Sequence, residues 1–164
     1  MKFSSQEEYG LRCLLCLARE REGGSLAIPA IGQAEGISTT YVAKLMRILR
    51  RGGFVESARG KIGGYTLSRP PDQIVVGEVL ALLGGRLFEP EFCDDHAGDL
   101  EVCTNSTDCS LRSLWRAVQF VVDQVLRKTT IKDLLRNEQG MTFWVSGLVN
   151  LSREPNLKQL SKSL

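Results

Sequence analysis

Residues 4 to 71 run in one order: a capped helix, a helix–turn–helix, and two short β-prone runs around a glycine-rich turn. That order leaves few folds open. Ser4 followed by Glu7 predicts a capping box for a first helix over about Ser4–Glu20, with Gly23-Gly24 as its stop. A short second helix is predicted near Ile28–Glu35, where Pro29 is tolerated in the first turn. Gly36-Ile37-Ser38 reads as a tight turn, and Ser38 or Thr39 caps a third helix that ends before Gly52-Gly53. Phe54–Ser57 and Tyr65–Ser68 are the β-prone runs; Gly60, Gly63 and Gly64 between them predict a hairpin, and Pro70-Pro71 closes the unit. This is the winged-helix plan, mainly α with a small β-wing.

Beyond the prolines, Ile74–Leu83 predicts a helix stopped by Gly84-Gly85, and a polar loop with three cysteines continues to about Ser110. The next helix, Leu111–Lys128, carries Leu111, Leu114, Val118, Val121 and Val125 at steps of 3, 4, 3 and 4. A seam this narrow suits pairing with a second copy, so it reads as a dimerisation helix; core packing within one subunit is the alternative. A shorter helix follows near Ile131–Arg136, and the end from about Arg153 reads as a loose tail. The expected organisation is a winged helix–turn–helix domain over 1–71, a linking helix and cysteine-rich loop over 72–110, and a dimerisation helix with a short helix over 111–136. Residues 137–164 form an extension with no assigned role.

A net charge of +2 conceals two opposed blocks. From Ile37 to Arg69 the chain holds Lys44, Arg47, Arg50, Arg51, Arg59, Lys61 and Arg69 against Glu56 alone. From Phe88 to Cys109 it holds Glu89, Glu91, Asp94, Asp95, Asp99, Glu101 and Asp108 without a Lys or Arg. The basic block suits a polyanion; the acidic block suits a cationic metal centre. Within the third helix, Val42, Leu45, Ile48 and Leu49 form the expected buried stripe, while Thr40, Lys44, Arg47 and Arg51 share the opposite face. With Ser38 and Thr39 at the helix start, and Arg59 and Lys61 at the hairpin tip, these are the candidate DNA-binding residues. A solvated charged face is the bland alternative.

Hydrophobic content of 43% with 24% charged residues excludes a chain disordered throughout. No stretch approaches the ~20 apolar residues of a membrane helix, and the polar, acidic start is unlike a secretory signal. The expected location is cytoplasmic, where five cysteines point to metal or redox chemistry before disulfides. Cys93, Cys103 and Cys109 sit in the acidic loop with nine and five residues between them. Thiolates are soft ligands for iron–sulfur clusters and zinc, and the absence of a close Cys-x-x-Cys pair disfavours structural zinc. A DNA-binding protein whose loop carries only structural zinc, three unrelated thiols, and a small thiol or metal redox enzyme using Cys93, Cys103, Cys109 and His96 remain alternatives, although no nucleophile–base motif or phosphate loop supports an enzyme. Cys13 and Cys16, three apart on one helix face with Tyr9, read as buried small hydrophobes.

The run Gly60-Lys61-Ile62-Gly63-Gly64-Tyr65-Thr66-Leu67-Ser68-Arg69-Pro70, followed by Ile74-Val75-Val76-Gly77-Glu78-Val79 and Gly84-Gly85, resembles the signature of the IscR/NsrR-type winged-helix transcriptional regulators. The resemblance covers Met1 to about Asp133. It implies a homodimer crossed by long helices, binding a palindromic operator, with an iron–sulfur cluster near the dimer interface. Cys93, Cys103 and Cys109 match the family's cluster ligands in kind, although the first gap is longer than in the cluster-biogenesis regulators. Those regulators carry a histidine where this chain has Arg112, and a redox-sensing type carries one where it has Arg12. The nitric-oxide-sensing type is the better match. It implies a 4Fe–4S cluster, with 2Fe–2S as the alternative, whose fourth ligand is Glu8 of the partner subunit; His96 inside the loop is the rival ligand.

Overall fold

A computed structural model describes residues 3–21, 24–58, 63–86, 88 and 91–151. Helix α1 (Ser5–Ala18) starts on the expected capping box: the Ser4 amide donates to the Glu7 carboxylate at 2.7 Å, and the Glu7 amide donates to Ser4 Oγ. Helix α2 (Ile28–Glu35) has Pro29 in its first turn and ends on Gly36, whose φ of 66° is left-handed and favours glycine. Ser38 caps α3 (Thr39–Arg51) by accepting from the Tyr41 amide. Val42, Leu45, Met46 and Leu49 are the buried face of α3. Ile48, expected in that stripe, is half-buried at the edge of the core, whereas Met46 is fully buried.

Strands β1 (Val55–Ala58) and β2 (Gly64–Leu67) pair antiparallel, with Val55 opposite Leu67 and Ser57 opposite Tyr65. Leu26, just before α2, adds a third short rung: it exchanges two backbone hydrogen bonds with Tyr65, at 3.0 and 2.8 Å. The wing is thereby fastened to the entry of the helix–turn–helix as well as to its exit.

A single turn of 3-10 helix (Pro71–Gln73) leads to α4 (Val76–Gly84). The helix starts two residues later than the sequence pattern predicts, because residues 74 to 76 form an extended rung against residues 129 to 131. The Val76 amide donates to the Thr129 carbonyl and the Ile131 amide to the Ile74 carbonyl, both at 2.9 Å, and Ile74 and Ile131 are fully buried. The expected polar loop contains a short helix, α5 (Phe92–Asp95), before α6 (Ser110–Leu126) and α7 (Ile131–Leu134). The unassigned extension contains another helix, α8 (Glu138–Leu151), which packs on α6. The tail expected from Arg153 lies outside the described residues.

The core joins α1, α2, α3, the base of the wing, α4 and α7 around Cys13, Leu14, Ile31, Val42, Leu45, Met46, Leu49, Ile74, Val79 and Ile131. Full burial of each leucine or isoleucine contributes about 1.5–3 kcal/mol, against ~0–1 for an exposed ion pair. Apolar packing therefore sets the position of α3. Of the ion pairs, the least exposed acid is Glu35, which accepts from Arg12 Nε at 2.9 Å while Arg12 also donates to the Glu35 carbonyl. The hydrogen bond to Glu35 raises the Arg12 pKa above its ordinary value.

Candidate functional site

Two surfaces carry the residues expected to act. On the first, Thr39, Thr40, Lys44, Arg47 and Arg51 are exposed along α3, opposite its buried stripe. Among the described residues no carboxylate pairs with Lys44, Arg47 or Arg51. Lys44 instead lies 5.7 Å from the centre of the Tyr41 ring, and Tyr41 packs edge-on against Tyr9 of α1. Ser38 is exposed but spends its hydroxyl on the cap. Arg50, on the flank, donates to Ser57 Oγ at 3.1 Å and ties α3 to the wing. Arg59 and Lys61 lie outside the described residues. The face so built is one-sidedly cationic, held rigid by the core beneath it, and suited to phosphates and base edges.

On the second surface, Cys93, Cys103 and Cys109 line one cavity of about 120 Å³, together with Asp94, Glu101 and Arg112. All three thiols are half-buried. Cys93 comes from α5, Cys103 from the loop, and Cys109 is the N-cap of α6, its Sγ accepting from the Arg112 amide at 3.4 Å. The Arg112 guanidinium donates to the Ser106 carbonyl at 3.0 Å and so folds the loop back on the helix that follows it. Sequence reasoning noted Arg112 only as a missing histidine; its place one turn into the helix after Cys109 is the signal for this contact. Among the described residues no three His, Cys, Asp or Glu side chains stand close enough to hold a metal ion as they are. The cysteines share a cavity without forming a closed ligand set.

His96 does not line this cavity. Its ring stacks on Phe92 with centroids 4.0 Å apart, and its Nδ1 lies 2.7 Å from the Phe92 carbonyl. Glu8 is exposed on α1, one turn before Arg12. Cys13 and Cys16 are buried in the core, where desolvation pushes the Cys13 thiol up to about 12 and raises Cys16 as well. Both are uncharged packing groups at neutral pH.

Three of the five residues of the proposed α6 seam are turned outward, and Val118 and Val125 are half-buried. Leu111, Leu114 and Val121 are 61%, 51% and 61% exposed, and Trp115 and Phe120 beside them are open as well. So much apolar surface on one helix is costly in a solitary chain. The inward face of α6 holds a feature the sequence reading missed, the buried polar Gln119 beside Asp123, whose i,i+4 spacing opposite the seam was the available signal.

The model of the Rrf2 family, described as an iron-dependent transcriptional regulator, matches residues 3–137. The chain belongs to the Rrf2 family. Among its relatives, the HTH-type transcriptional regulator CymR of Bacillus subtilis (strain 168) is 31% identical over 140 residues, covering 85% of this chain and 94% of CymR. Protein rrf2 of Nitratidesulfovibrio vulgaris is 32% identical, covering 84% and 89% of the two chains, and IscR of Cronobacter sakazakii is 30% identical, covering 85% and 83%. The solved structure of CymR, named the global cysteine regulator of B. subtilis, superposes with a TM-score of 0.67 over 82% of this chain and 96% of that one, at 31% identity. T. potens IscR superposes with a TM-score of 0.65, over 82% and 86%, at 29% identity. This Rrf2 chain is accordingly a DNA-binding transcriptional regulator, and its named relatives are regulators rather than enzymes. Helix α8 lies beyond the part the family model matches.

Proposed function

We propose that this regulator senses redox state, nitric oxide or iron–sulfur status through an iron–sulfur cluster, in the first instance 4Fe–4S and alternatively 2Fe–2S. Cys93, Cys103 and Cys109 hold it, and Glu8 of the partner subunit completes the set. The observation that carries the reading is the single cavity lined by all three loop cysteines. Three soft donors suit iron with sulfide, and a harder carboxylate would be the labile corner. The cluster, when bound, supplies a centre that reacts with oxidants or nitric oxide. The chain's own contribution is mechanical: Cys109 both lines the cavity and caps α6, so displacement of its sulfur acts on the first turn of that helix.

In this reading α6 pairs with a second copy through Leu111, Leu114, Val118, Val121 and Val125, in keeping with the exposure of Leu111, Leu114 and Val121; Val118 and Val125 are half-buried. The homodimer sets two copies of α3 on a palindromic operator, where Ser38, Thr39, Thr40, Lys44, Arg47 and Arg51 meet the DNA and Arg59 and Lys61 follow from the wing. Residues 1–71 bind DNA, 72–110 sense, and 111–136 dimerise. A second reading, a metal-free thiol signal, rests on the same observation of three half-buried thiols, Cys93, Cys103 and Cys109, lining one cavity.

Anaerobic purification separates these readings. Brown protein that loses its colour on serine substitution of Cys93, Cys103 or Cys109 supports the cluster, and Mössbauer spectra then assign its nuclearity. Glu8→Ala is expected to keep a cluster with an altered spectrum and faster oxidative loss, and His96→Ala to match the parent. Colourless protein containing zinc would mean a structural metal, and colourless metal-free protein whose operator binding follows thiol oxidation would establish the second reading. Loss of the cluster in His96→Ala, with Glu8→Ala unchanged, would make the loop the source of the fourth ligand.

A further inference from the structure

Gln119 is the buried residue of α6, 7% exposed in a helix whose other described side chains all reach solvent to a greater extent. Burying an amide side chain is unfavourable unless its donors and acceptor are satisfied. Here Gln119 Oε1 accepts from the Phe88 amide at 2.9 Å, and its Nε2 donates to Asp123 Oδ1 at 2.7 Å. The other oxygen of Asp123 accepts from Arg86, and Arg127 stands 3.5 Å away. The chain of contacts therefore runs from the Phe88 backbone through Gln119 to Asp123 and back to Arg86.

The position of this chain of contacts is informative. Arg86 follows the end of α4, and Phe88 stands five residues before Cys93. The cysteine segment is thus pinned to α6 at both ends, at Phe88 through Gln119 and at Cys109 through the helix cap. The two pins are ten residues apart on one helix, about 15 Å along its axis. On the side away from the loop, α4 meets α6 closely: a Cβ on Gly77 would lie 3.4 Å from the Leu126 backbone. Helix α4 also packs on α1 and α3, the latter carrying the cationic face.

We infer that Gln119 and Asp123 form a latch that passes the state of the cysteine loop to α6 and, through Arg86 and α4, to the DNA-binding helices, with Gln119 as its positioning residue. The inference rests on the proposed sensing role of the loop. With the latch closed, a shift of the loop moves α6 against α4 as one body. With it open, the loop moves alone.

The test compares the full-length protein with Gln119→Leu, which fills the space without the hydrogen bonds, and with Gln119→Glu combined with Asp123→Asn, which restores an acceptor for Phe88 and a donor to residue 119. Hydrogen exchange of the Phe88 amide should rise about tenfold in Gln119→Leu and return toward the parent in the double variant. Gln119→Leu should keep the parent's absorption spectrum per subunit, yet lose the difference in operator affinity between cluster-loaded and cluster-stripped protein; the double variant should regain it. Unchanged Phe88 exchange, or a full operator response in Gln119→Leu, overturns the latch. A parent protein that binds the operator but never holds iron overturns the cluster reading instead, and Phe88 exchange together with the response to thiol oxidation then decides the latch.

Discussion

Gly64 lies directly against the backbone of Leu26: a Cβ at that position would stand 2.5 Å from the Leu26 carbonyl oxygen and 2.6 Å from its carbon. The neighbour is main chain held in a two-bond rung with Tyr65, so it cannot swing aside as a side chain could. Gly64→Ala is expected to destabilise the protein by about 1–3 kcal/mol through this overpacking. Thermal unfolding should show a clear fall in Tm. An alanine variant as stable as the parent would mean that the rung is not kept in solution.

Neutralising Arg47 tests the cationic face. Arg47→Ala should weaken operator binding by about 1–3 kcal/mol if the guanidinium reads a base, and should flatten the salt dependence slightly if it contacts phosphate alone. Unchanged affinity and salt slope would leave Arg47 an ordinary solvated residue. Because its side chain is exposed and outside the core, the variant's stability should match the parent's.

The outward seam of α6 leads to a prediction about assembly. Val118→Glu with Val121→Glu would set like charges against each other across a two-fold interface and convert dimer to monomer, read by sedimentation. Val121 is 61% exposed in the single chain and Val118 half-buried, so Val121→Glu alone, with circular dichroism matching the parent, serves as the control for folding. A dimer that survives them would place the interface elsewhere.

Cys13 makes alkaline stability measurable. Its thiol is held up at about 12, chiefly by desolvation, against an ordinary value of 9.0. Between those values the folded state retains a proton that the unfolded state has released. The stabilising contribution is therefore complete below pH 9 and is lost as pH rises toward 12, with a slope of up to ~1.4 kcal/mol per pH unit. Denaturant midpoints across pH 8 to 10.5 should fall more steeply for the parent than for Cys13→Ala. Parallel curves would refute the burial-driven shift.

Much of this architecture was legible without coordinates. The Ser4–Glu7 box, Pro29, Gly36 and Ser38 announce three helices because caps and breakers act over three or four residues, within the range that local sequence reports. The period of Leu111, Leu114, Val118, Val121 and Val125 likewise identified a face of α6, and the structure leaves much of that face turned outward. Gly64 shows the limit: as one of three glycines in the hairpin run it reads as a turn residue, whereas its place is a strand facing Leu26 from 38 positions earlier.

Read alone, the chain yields the order α1 to α4, α6 and α7 but not α5 or α8, the cationic stripe of α3, the grouping of Cys93, Cys103 and Cys109 in one acidic segment, and through its signature the family. Each follows from spacing along the chain, which is local information. Packing in three dimensions adds that Ile74 and Ile131 lock the segment after α6 back onto the winged helix, that all three cysteines open on one cavity, and that Gln119 is buried against Phe88. These contacts join residues that are remote in sequence, and a polar side chain such as Gln119 looks like surface until the packing of α4, α6 and the loop withdraws it from water and obliges it to find partners.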